Sequence, residues 1–368
     1  TTLEKGRALM SPHLREIHEA NIIRAEGNLT SGDGHIAVDD ERILREGLAA
    51  YVDLVLDKLG DIDPTTKEGL KKRLFYEALL TSLTSFRAFI RRYADLATEQ
   101  AENAKDSDRR SELETIAENC RAIAEQPPQS FYQALQLKFF VQLVLQIESN
   151  GHSVTLGRVD QYLYPFYAED YAAGRITPEF AMELLENTWV KLVSFLKIRS
   201  WSHSRFSAGS PLYQNVTIGG QTRDGSDAVN ELSYLILRSV GETKLTQPNL
   251  SVRFHKNMDD QFFQACLDVV KKGFGMPAFN NDEVVIPALM DLGVEEEDAY
   301  DYAAIGCIEV AVPGKWGYRS TGKHFLNFMR VFLASINDGT DVVTDKQFFP
   351  GIGRLADFSS FDQVMEAW

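Results

Sequence analysis

Hydrophobic positions in the first 150 residues recur at intervals of three and four, which is the spacing of amphipathic helices. One such series includes Leu44 and Leu48, and a later one includes Leu79 and Leu83. The Asp63-Pro64-Thr65 sequence between the two series predicts a break in the chain, since proline disfavours helical backbone in the preceding residue. The pattern therefore predicts consecutive helices.

Two more helices are predicted before residue 150. One extends from about Ser111 to Glu125 and ends before Pro127-Pro128. The next, Phe131 to Ile147, is apolar on nearly all of its faces. A helix of that kind is expected to be buried inside a large body.

The pattern changes after residue 150, where short strand-like segments alternate with helical ones. Thr177-Pro178 predicts a helix start, with Thr177 as the cap and proline in the first turn. This alternation predicts an α/β architecture behind a helical layer, divided as 1–150 and 151–368. The predicted strands are Tyr213–Gly219, Leu250–Phe254 and Ala278–Val285, and the predicted helices are 227–240, 259–272 and 295–302.

The charge balance and the absence of long apolar runs restrict the class of protein. The 368 residues include 38 Lys and Arg against 53 Asp and Glu, a formal net charge of −15. Such a field repels nucleic acid and anionic membrane surfaces, so we expect neither as a partner. No transmembrane run or signal peptide is recognisable, which favours a cytoplasmic protein. The segment Phe361 to Trp368 is the opening of a predicted helix, and we expect the chain to be a fragment.

The three cysteines lie far apart and form neither a disulfide framework nor a metal-binding CxxC pair. They indicate a reducing compartment. Cys120 and Cys266 have apolar neighbours at helical spacing and are expected to act as small core residues. The histidines show no HExxH or paired metal spacing, so no metal is predicted.

Cys307 has a different setting, because Gly306 precedes it and Glu309 follows two residues later. If the segment is one extended strand, the sulfur and the carboxylate lie on the same side. A neighbouring carboxylate raises the pKa of a thiol, which is unfavourable for a thiolate nucleophile. The pairing suits a thiol that donates and accepts hydrogen atoms, with Glu309 as a base. The alternative is a buried thiol beside a surface glutamate.

Four ordered sequence blocks resemble the glycyl radical enzymes, notably their glycerol/diol dehydratase branch, over nearly the whole chain. The blocks are Ser31-Gly32-Asp33-Gly34-His35-Ile36; Glu148-Ser149-Asn150-Gly151-His152-Ser153 with Gly157-Arg158-Val159-Asp160-Gln161-Tyr162; Ser210-Pro211-Leu212-Tyr213-Gln214-Asn215 with Gly219-Gly220-Gln221; and Gly306-Cys307-Ile308-Glu309 followed by Val312-Pro313-Gly314-Lys315.

The resemblance implies a ten-stranded α/β barrel surrounded by helices, of which this chain holds the first half-barrel and the cysteine loop. It also implies a post-translational glycyl radical, installed under anoxic conditions by an activating enzyme that uses S-adenosylmethionine and a [4Fe-4S] cluster. A segment like the family's Arg-Val-x-Gly-Tyr is absent from these residues. We therefore expect the isolated chain to be inactive and to bind no cofactor itself. A homodimer is compatible with the resemblance.

The residues around Cys307 indicate the branch of the family. Pyruvate formate-lyase uses two adjacent cysteines, but here Ile308 occupies the second place, and its aliphatic side chain cannot form a thioester. The Cys-x-Glu arrangement resembles the dehydratases and lyases instead. The resemblance implies Cys307 as the hydrogen-abstracting thiyl, Glu309 as the base, His35 and His152 as acids, and Ser153 as a hydroxyl-binding donor.

One position departs from the glycerol dehydratase pattern, which has an aspartate where this chain has Thr321. Glycerol or 1,2-propanediol as the substrate is therefore in doubt. Arg319 and Lys315 are candidates for binding an anionic group of a polyol or sugar-alcohol derivative. The alternative is that Arg319 pairs with a local acid.

Two other function classes remain open at this point. One is an acyltransferase of the formate C-acetyltransferase type that uses a lone cysteine covalently, and the other is a truncated scaffold without catalysis. The pair Arg158 and Asp160 is expected to serve the scaffold rather than the substrate.

Overall fold

The computed structural model describes residues 8–25, 35–148, 151, 153–197, 212–306, 309–315 and 324–368. Two compact units are present. The larger comprises 34–197 and 210–318, and the smaller comprises 1–33, 198–209 and 319–368. The division expected at residue 150 stays a prediction.

The helices account for most of the described secondary structure. In chain order they are α1 (Pro12–Glu19), α2 (Asp40–Gly60), α3 (Lys67–Asn103), α4 (Ser107–Glu125), α5 (Phe131–Glu148), α6 (Val159–Tyr162), α7 (Tyr164–Ala172), α8 (Pro178–Val193), α9 (Glu231–Thr243), α10 (Asp260–Val270), α11 (Asp282–Asp291), α12 (Glu296–Ala299), α13 (Phe328–Ser335) and α14 (Phe361–Ala367), with a 3₁₀ turn at Leu355–Asp357.

The strands are short. They are β1 (Ile23–Ala25), β2 (Ile36–Ala37), β3 (Val154–Thr155), β4 (Asn215–Gly219), β5 (Asn249–Phe254), β6 (Ala278–Asn281), β7 (Ala303–Ile305), β8 (Glu309–Ala311) and β9 (His324–Leu326).

Side-chain caps explain where the helices of the larger unit begin. Asp39 and Asp106 accept hydrogen bonds from backbone N–H groups in the first turns of α2 and α4, at 3.1 and 2.7 Å. Thr177 accepts from the N–H of Phe180 at 3.2 Å, which confirms the predicted cap of α8. Helix α4 ends at Glu125 as predicted but begins four residues earlier than Ser111.

Helix α5 lies in the main core, as its apolar sequence predicts. Its Leu137 and Phe140 are buried beside residues of α2, α8 and the strands. Three of its buried positions, Lys138, Gln142 and Gln146, are polar. Lys138 forms an ion pair with Asp40 at 2.8 Å, and the Gln142 amide donates to the carbonyl of Val154 at 2.9 Å. The ion pair offsets the cost of burying the Lys138 charge.

Parallel strands form the sheet of the larger unit. β2 pairs with β3, and β4 pairs with β5, which pairs with β6, all in parallel. The backbone of Leu156 donates to Asn215 at 2.7 Å and that of Thr217 to Gly157 at 2.9 Å, which joins the two groups. The order β2-β3-β4-β5-β6, with helices between successive strands, agrees with the first half-barrel that the family resemblance implies.

Two predicted boundaries differ in the structure. The strand expected over Ala278–Val285 ends at Asn281, and Asp282 begins helix α11. The Asn281 side chain caps this helix by accepting from the N–H of Glu283 at 3.0 Å. The helix expected at 295–302 is reduced to Glu296–Ala299.

Strands β7 and β8 form an antiparallel hairpin in which Ile305 pairs with Glu309. The chain therefore reverses direction between these two residues. The condition of one extended strand through Cys307, under which the sulfur and the carboxylate would share a side, is therefore not met. Gly306, at φ +64°, adopts the left-handed conformation that starts the reversal and that glycine accepts without a Cβ clash.

The smaller unit has its own core, in which Ile17 and Ile22 are buried with Phe348. Strand β1 pairs antiparallel with β9. Arg330 of α13 forms an ion pair with the buried Asp341. The helix predicted from Phe361 is confirmed as α14.

Candidate active site

The sheet of the larger unit has one apolar and one polar face. Val216 and Ile218 of β4 and Val252 of β5 belong to the core that includes the helices. Asn215 and Thr217 alternate with them and are also buried, although they are polar. Since side chains alternate along a strand, the second face of the sheet is lined with hydrogen-bonding groups.

The β7–β8 hairpin lies against this polar face. The Asn215 side-chain amide donates to the carbonyl of Gly306 at 2.8 Å. Two residues further along β4, the Thr217 hydroxyl accepts from the N–H of Ala304 at 2.9 Å. From Asn215 to Thr217 the chain advances two residues along β4, while the partner residue moves back two positions, from Gly306 to Ala304. The two strands therefore run in opposite directions.

Glu309 and His35 meet at the turn of the hairpin. The Glu309 Oε1 atom is 3.7 Å from His35 Nε2, and the two side chains are 12% and 4% exposed. His35 is placed there because it directly precedes β2, whereas Glu309 begins β8. A carboxylate and an imidazole are thereby enclosed side by side.

Gly306 fits tightly between these two side chains. A Cβ atom built on it would lie 2.3 Å from Glu309 Oε2 and 2.7 Å from His35 Cδ2. Both distances are below van der Waals contact, so only glycine allows the carboxylate and the imidazole to approach the turn this closely. The glycine that precedes the cysteine therefore has a steric role as well as a conformational one.

Ser153 directly precedes β3 and is fully buried. Its backbone N–H donates to Leu212 at 2.7 Å, and its carbonyl accepts from Ile36 at 3.4 Å. It has a left-handed φ of +65°, which is uncommon for a residue with a side chain and is often found at functional sites. The structure thus places it beside β2, which follows His35.

Four predicted site residues, Cys307, His152, Arg319 and Thr321, lie outside the described residues. The chain neighbours of the first two are described. Gly306 and Glu309, which flank Cys307 in the sequence, lie against His35. Ser153, which follows His152, accepts a hydrogen bond from Ile36, the first residue of β2. Of the predicted set, the structure therefore brings together His35 and Glu309, with Ser153 on the adjoining strand.

Lys315 does not face an open anion site. Its ammonium group forms an ion pair with Asp298, with nitrogen–oxygen distances of 2.6 and 2.8 Å. This pairing raises the pKa of Lys315 through a hydrogen bond to the carboxylate. The suggestion that Lys315 holds an anionic part of the substrate is therefore not supported by its contacts.

The remaining cysteines have the expected core role. Cys120 and Cys266 are both fully buried. Burial raises the pKa of Cys120 to about 11 and that of Cys266 to about 12. Neither thiol is poised for nucleophilic or metal-binding chemistry.

Arg158 and Asp160 serve the scaffold, as expected. Arg158 donates to the carbonyl of Gly219 at 3.2 Å and pairs with Asp301 at 3.3 Å. Asp160 accepts from the N–H of Gly219 at 2.8 Å and from the Ser233 hydroxyl at 2.6 Å. Burial raises the pKa of Asp160, and the charge of Arg158 opposes that rise.

Sequence reasoning missed the residues that hold the hairpin. Asn215 was noted only within a predicted strand and a family-like block, and Thr217 and Arg253 only within predicted strands. Arg253 is fully buried and forms a two-point ion pair with Asp282. The available signal was the alternation of polar with apolar residues in β4 and β5, since strands buried on both faces of a parallel sheet are normally apolar throughout.

Within the described segments, no three His, Cys, Asp or Glu side chains are grouped so as to hold a metal ion. No described helix combines the length and apolar character needed to cross a membrane. The chemistry that this site offers is proton transfer between a carboxylate and an imidazole, next to the cysteine that Gly306 precedes.

The fold is that of the glycyl radical enzyme barrels. Among solved structures, the chain resembles the glycerol-bound form of the B12-independent glycerol dehydratase from Clostridium butyricum, with a TM-score of 0.90 and 36% identity. The match covers 98% of this chain and 45% of that protein.

The family model described as pyruvate formate lyase-like matches residues 1–368, and the chain belongs to this family of glycyl radical enzymes, within its dehydratase branch. It is 54% identical over 374 residues to YbiW, a protein of Escherichia coli strain K12 named as a probable dehydratase, covering 100% of this chain and 46% of that protein.

It is 36% identical over 340 residues to the (2S)-3-sulfopropanediol dehydratase of Klebsiella oxytoca, covering 91% of this chain and 41% of that enzyme. The chain thus spans just under half the length of the curated relatives it matches.

Proposed function

We propose that this chain is the substrate-binding and cysteine-bearing part of a glycyl radical dehydratase that removes water from a polyol or sugar-alcohol derivative. The observation that carries the proposal is the 3.7 Å approach of Glu309 and His35, both enclosed against Gly306. A base and an acid beside the cysteine turn are what elimination of water requires.

The site suits a family cysteine that exchanges hydrogen atoms. The hairpin that bears Cys307 is held on the inner face of the sheet by Asn215 and Thr217, and a carboxylate lies next to the turn. A nearby carboxylate disfavours the thiolate and so favours the neutral thiol. The glycyl radical, when present in the complete enzyme, supplies the unpaired electron that this cysteine needs.

In the proposed reaction, Cys307 receives a hydrogen atom from a carbon of the substrate that carries a hydroxyl group. Glu309 accepts the proton of that hydroxyl group. His35 or His152 gives a proton to the hydroxyl on the neighbouring carbon, which leaves as water. Cys307 then returns its hydrogen atom to the carbon that lost the hydroxyl group, which regenerates the thiyl radical. The proton on Glu309 passes to the histidine that acted as the acid, so both groups return to their starting states and the substrate has lost one water molecule.

Substrate orientation is assigned to the remaining predicted residues. Ser153 is buried, and its hydroxyl group would accept a hydrogen bond from a substrate hydroxyl group or donate one to it. Thr321 and Arg319 are proposed as further substrate contacts. The dehydratase that resembles this chain in Klebsiella acts on a sulfonated diol by name, so an anionic diol is a candidate substrate here.

The test uses the complete polypeptide that contains this sequence, activated without oxygen by a radical S-adenosylmethionine activating enzyme. Formation of the glycyl radical is followed by electron paramagnetic resonance. Glycerol, 1,2-propanediol, 3-sulfopropanediol and phosphorylated sugar alcohols are supplied in turn, and carbonyl products that have lost water are identified by mass spectrometry. We expect conversion of at least one diol.

Two variants assign the roles. Cys307→Ser should retain the glycyl radical and abolish conversion. Glu309→Gln should lower kcat by on the order of 10²-fold or more, the usual contribution of a positioned acid or base. The control is Glu242→Gln, at an exposed glutamate paired with Arg238. Formate release from pyruvate, or full radical formation with no conversion of any diol, would overturn the proposal.

A further inference from the structure

The carbonyl oxygen of Tyr300 receives hydrogen bonds from two arginines. Arg158 Nη1 donates to it at 3.2 Å and Arg253 Nη1 at 2.9 Å. The same Arg253 nitrogen also donates to the carbonyl of Tyr302 at 3.0 Å. Tyr302 directly precedes β7, and Tyr300 lies two residues before Tyr302. Both arginines therefore hold the backbone at the start of the cysteine hairpin.

The orientation of Arg253 is fixed by contacts on every side. Its Nε and Nη2 atoms each donate to a different oxygen of Asp282 at 2.9 Å. Its guanidinium carbon lies 4.0 Å from the centre of the Tyr302 ring, and the Tyr302 hydroxyl donates to Asp282 at 2.7 Å. All three side chains are fully buried, so this group leaves little freedom for the backbone that it contacts.

Arg158 links the same backbone to β4. Its Nη2 atom donates to the carbonyl of Gly219, the last residue of that strand, at 3.2 Å. At the opposite end of the strand, Asn215 holds Gly306. The hairpin is thus attached to β4 at three places. Arg158 links the start of the hairpin to Gly219, Thr217 bonds Ala304 in the middle, and Asn215 bonds Gly306 at the turn.

We propose that Arg158 and Arg253 are positioning residues that set how far the hairpin extends along β4, and thereby hold Glu309 beside His35 at the turn whose sequence contains Cys307. The inference rests on the proposed function of that site. Tyr302 and Gly306 are four residues apart, or about 13 Å of extended chain. A strand bonded along its length transmits a displacement at one end to the other.

Stability alone gives a weaker account of these buried charges. Buried ion pairs are often replaceable by apolar residues without loss of stability, because removing charges from water offsets their attraction. Two guanidinium groups that meet on one carbonyl provide a defined geometry instead. Arg253 uses three separate nitrogens, with Nε and Nη2 on Asp282 and Nη1 on the two carbonyls. The single nitrogen of a lysine cannot occupy these three positions, so an arginine-to-lysine change keeps the charge and loses the geometry.

The experiment compares Arg158→Lys and Arg253→Lys with Arg238→Lys, a control at an exposed arginine of α9 that pairs with Glu242. The first measurement is the rate at which iodoacetamide modifies Cys307 in the folded protein, read by mass spectrometry, which needs no radical. We expect this rate to change in both buried variants and to stay at the parent value in the control.

The second measurement is turnover by the activated complete enzyme, with a diol that the parent enzyme converts. We expect kcat to fall by about 10- to 100-fold, since a displacement of about 1 Å of the reacting groups can have that effect. KM should change little, because Ser153, Arg319 and Thr321, the residues proposed to bind the substrate, lie outside the hairpin. If the arginines only stabilised the fold, the variants would contain less folded enzyme, and kcat per folded molecule would stay at the parent value.

An unchanged alkylation rate and unchanged kcat in both folded variants would overturn the inference. If either lysine variant does not fold, Tyr302→Phe replaces it, since this change removes only the hydroxyl that bonds Asp282. No change in the Cys307 alkylation rate there would equally overturn it. If the parent enzyme converts no diol, the proposed function fails, whereas the alkylation rates still decide whether the arginines position the hairpin.

Discussion

The side-chain amide of Asn215 donates a hydrogen bond to the backbone carbonyl of Gly306 at 2.8 Å. One residue therefore joins the first position of a barrel strand to the residue that precedes Cys307. It explains how a short hairpin, with only three residues in each strand, is held at a defined place on the sheet.

Replacing Asn215 with aspartate tests this bond with almost no change in shape. Aspartate offers no donor at neutral pH, so the buried carbonyl of Gly306 loses its partner. We expect the free energy of unfolding to fall by about 1–3 kcal/mol and the turnover of the complete enzyme to fall with it. Urea denaturation and diol turnover measure the two effects.

The matched control is Asn187→Asp, at an exposed helical asparagine whose amide donates to the Glu183 carbonyl at 2.9 Å. This control should remain close to the parent in both assays. Equal stability and activity of the Asn215 and Asn187 variants would show that the bond to Gly306 has no positioning role.

Gly306→Ala tests the close approach of Glu309 and His35. The alanine Cβ would meet the Glu309 carboxylate at 2.3 Å, in addition to the cost of left-handed backbone. We expect a loss of about 1–2 kcal/mol from the backbone and about 1–3 kcal/mol more from overpacking. Thermal and chemical unfolding give the loss of stability.

Gly174→Ala separates the two costs. Gly174 has a similar φ of +69°, and a Cβ atom there would meet nothing within 4 Å. This variant should show the backbone cost alone and retain full activity. If Gly174→Ala is as damaging as Gly306→Ala, the contact with Glu309 and His35 is not what requires glycine at the turn.

The buried ion pair between Asp40 and Lys138 predicts a dependence of stability on pH. Burial raises the pKa of Asp40 to about 6 from its ordinary value of 3.8, although Lys138 opposes the rise. The folded state thus binds this proton more tightly than the unfolded state. The contribution is complete below about pH 4 and is lost as pH rises through 6, a change on the order of 3 kcal/mol.

Asp40→Asn should remove that dependence. The neutral amide resembles the protonated carboxyl group, so the variant lacks the loss of stability that ionisation of Asp40 causes in the parent. The stability of the variant relative to the parent should therefore rise as pH increases from 4 to above 6. Unfolding curves across this range, with exposed Asp53→Asn as the control, measure the change. A difference between variant and parent that is the same at every pH would contradict a raised pKa at Asp40.

The two core cysteines should resist alkylation. Since burial raises the pKa of Cys120 and Cys266, almost no thiolate is present at pH 8, and the sulfur atoms are also inaccessible. Iodoacetamide with mass spectrometry should find both unmodified in the folded protein and modified in guanidinium chloride. Rapid labelling of either thiol under native conditions would contradict the core assignment.

Much of the fold could be predicted from local sequence, because local interactions determine it. Helix α5 follows from a long apolar run, and helix α8 from a threonine cap followed by proline. Strands β4 and β5 were found within two residues of their observed bounds. Periodicity and capping depend on neighbours a few residues away, and these are visible in the chain itself.

The boundary between β6 and α11 depended on distant residues instead. Val284 and Val285 favour a strand by their residue type, but Asp282 forms its ion pair with Arg253 of the neighbouring strand, and Asn281 caps a helix. The tertiary contact and the cap outweigh the propensity of two valines. The residues that bond Asp282 lie elsewhere in the chain, so they could not be identified from the segment around Asp282 itself.

The candidate site divides in the same way. The sequence by itself predicts which residues carry the chemistry, because Gly306, Glu309 and His35 occur in family-like blocks. The tertiary structure alone decided that β7 and β8 pair as a hairpin, and that Asn215 and Arg253 hold this hairpin against the sheet. These contacts join residues 91 and 49 positions apart, so no local pattern encodes them, and only folding brings the donor to its carbonyl.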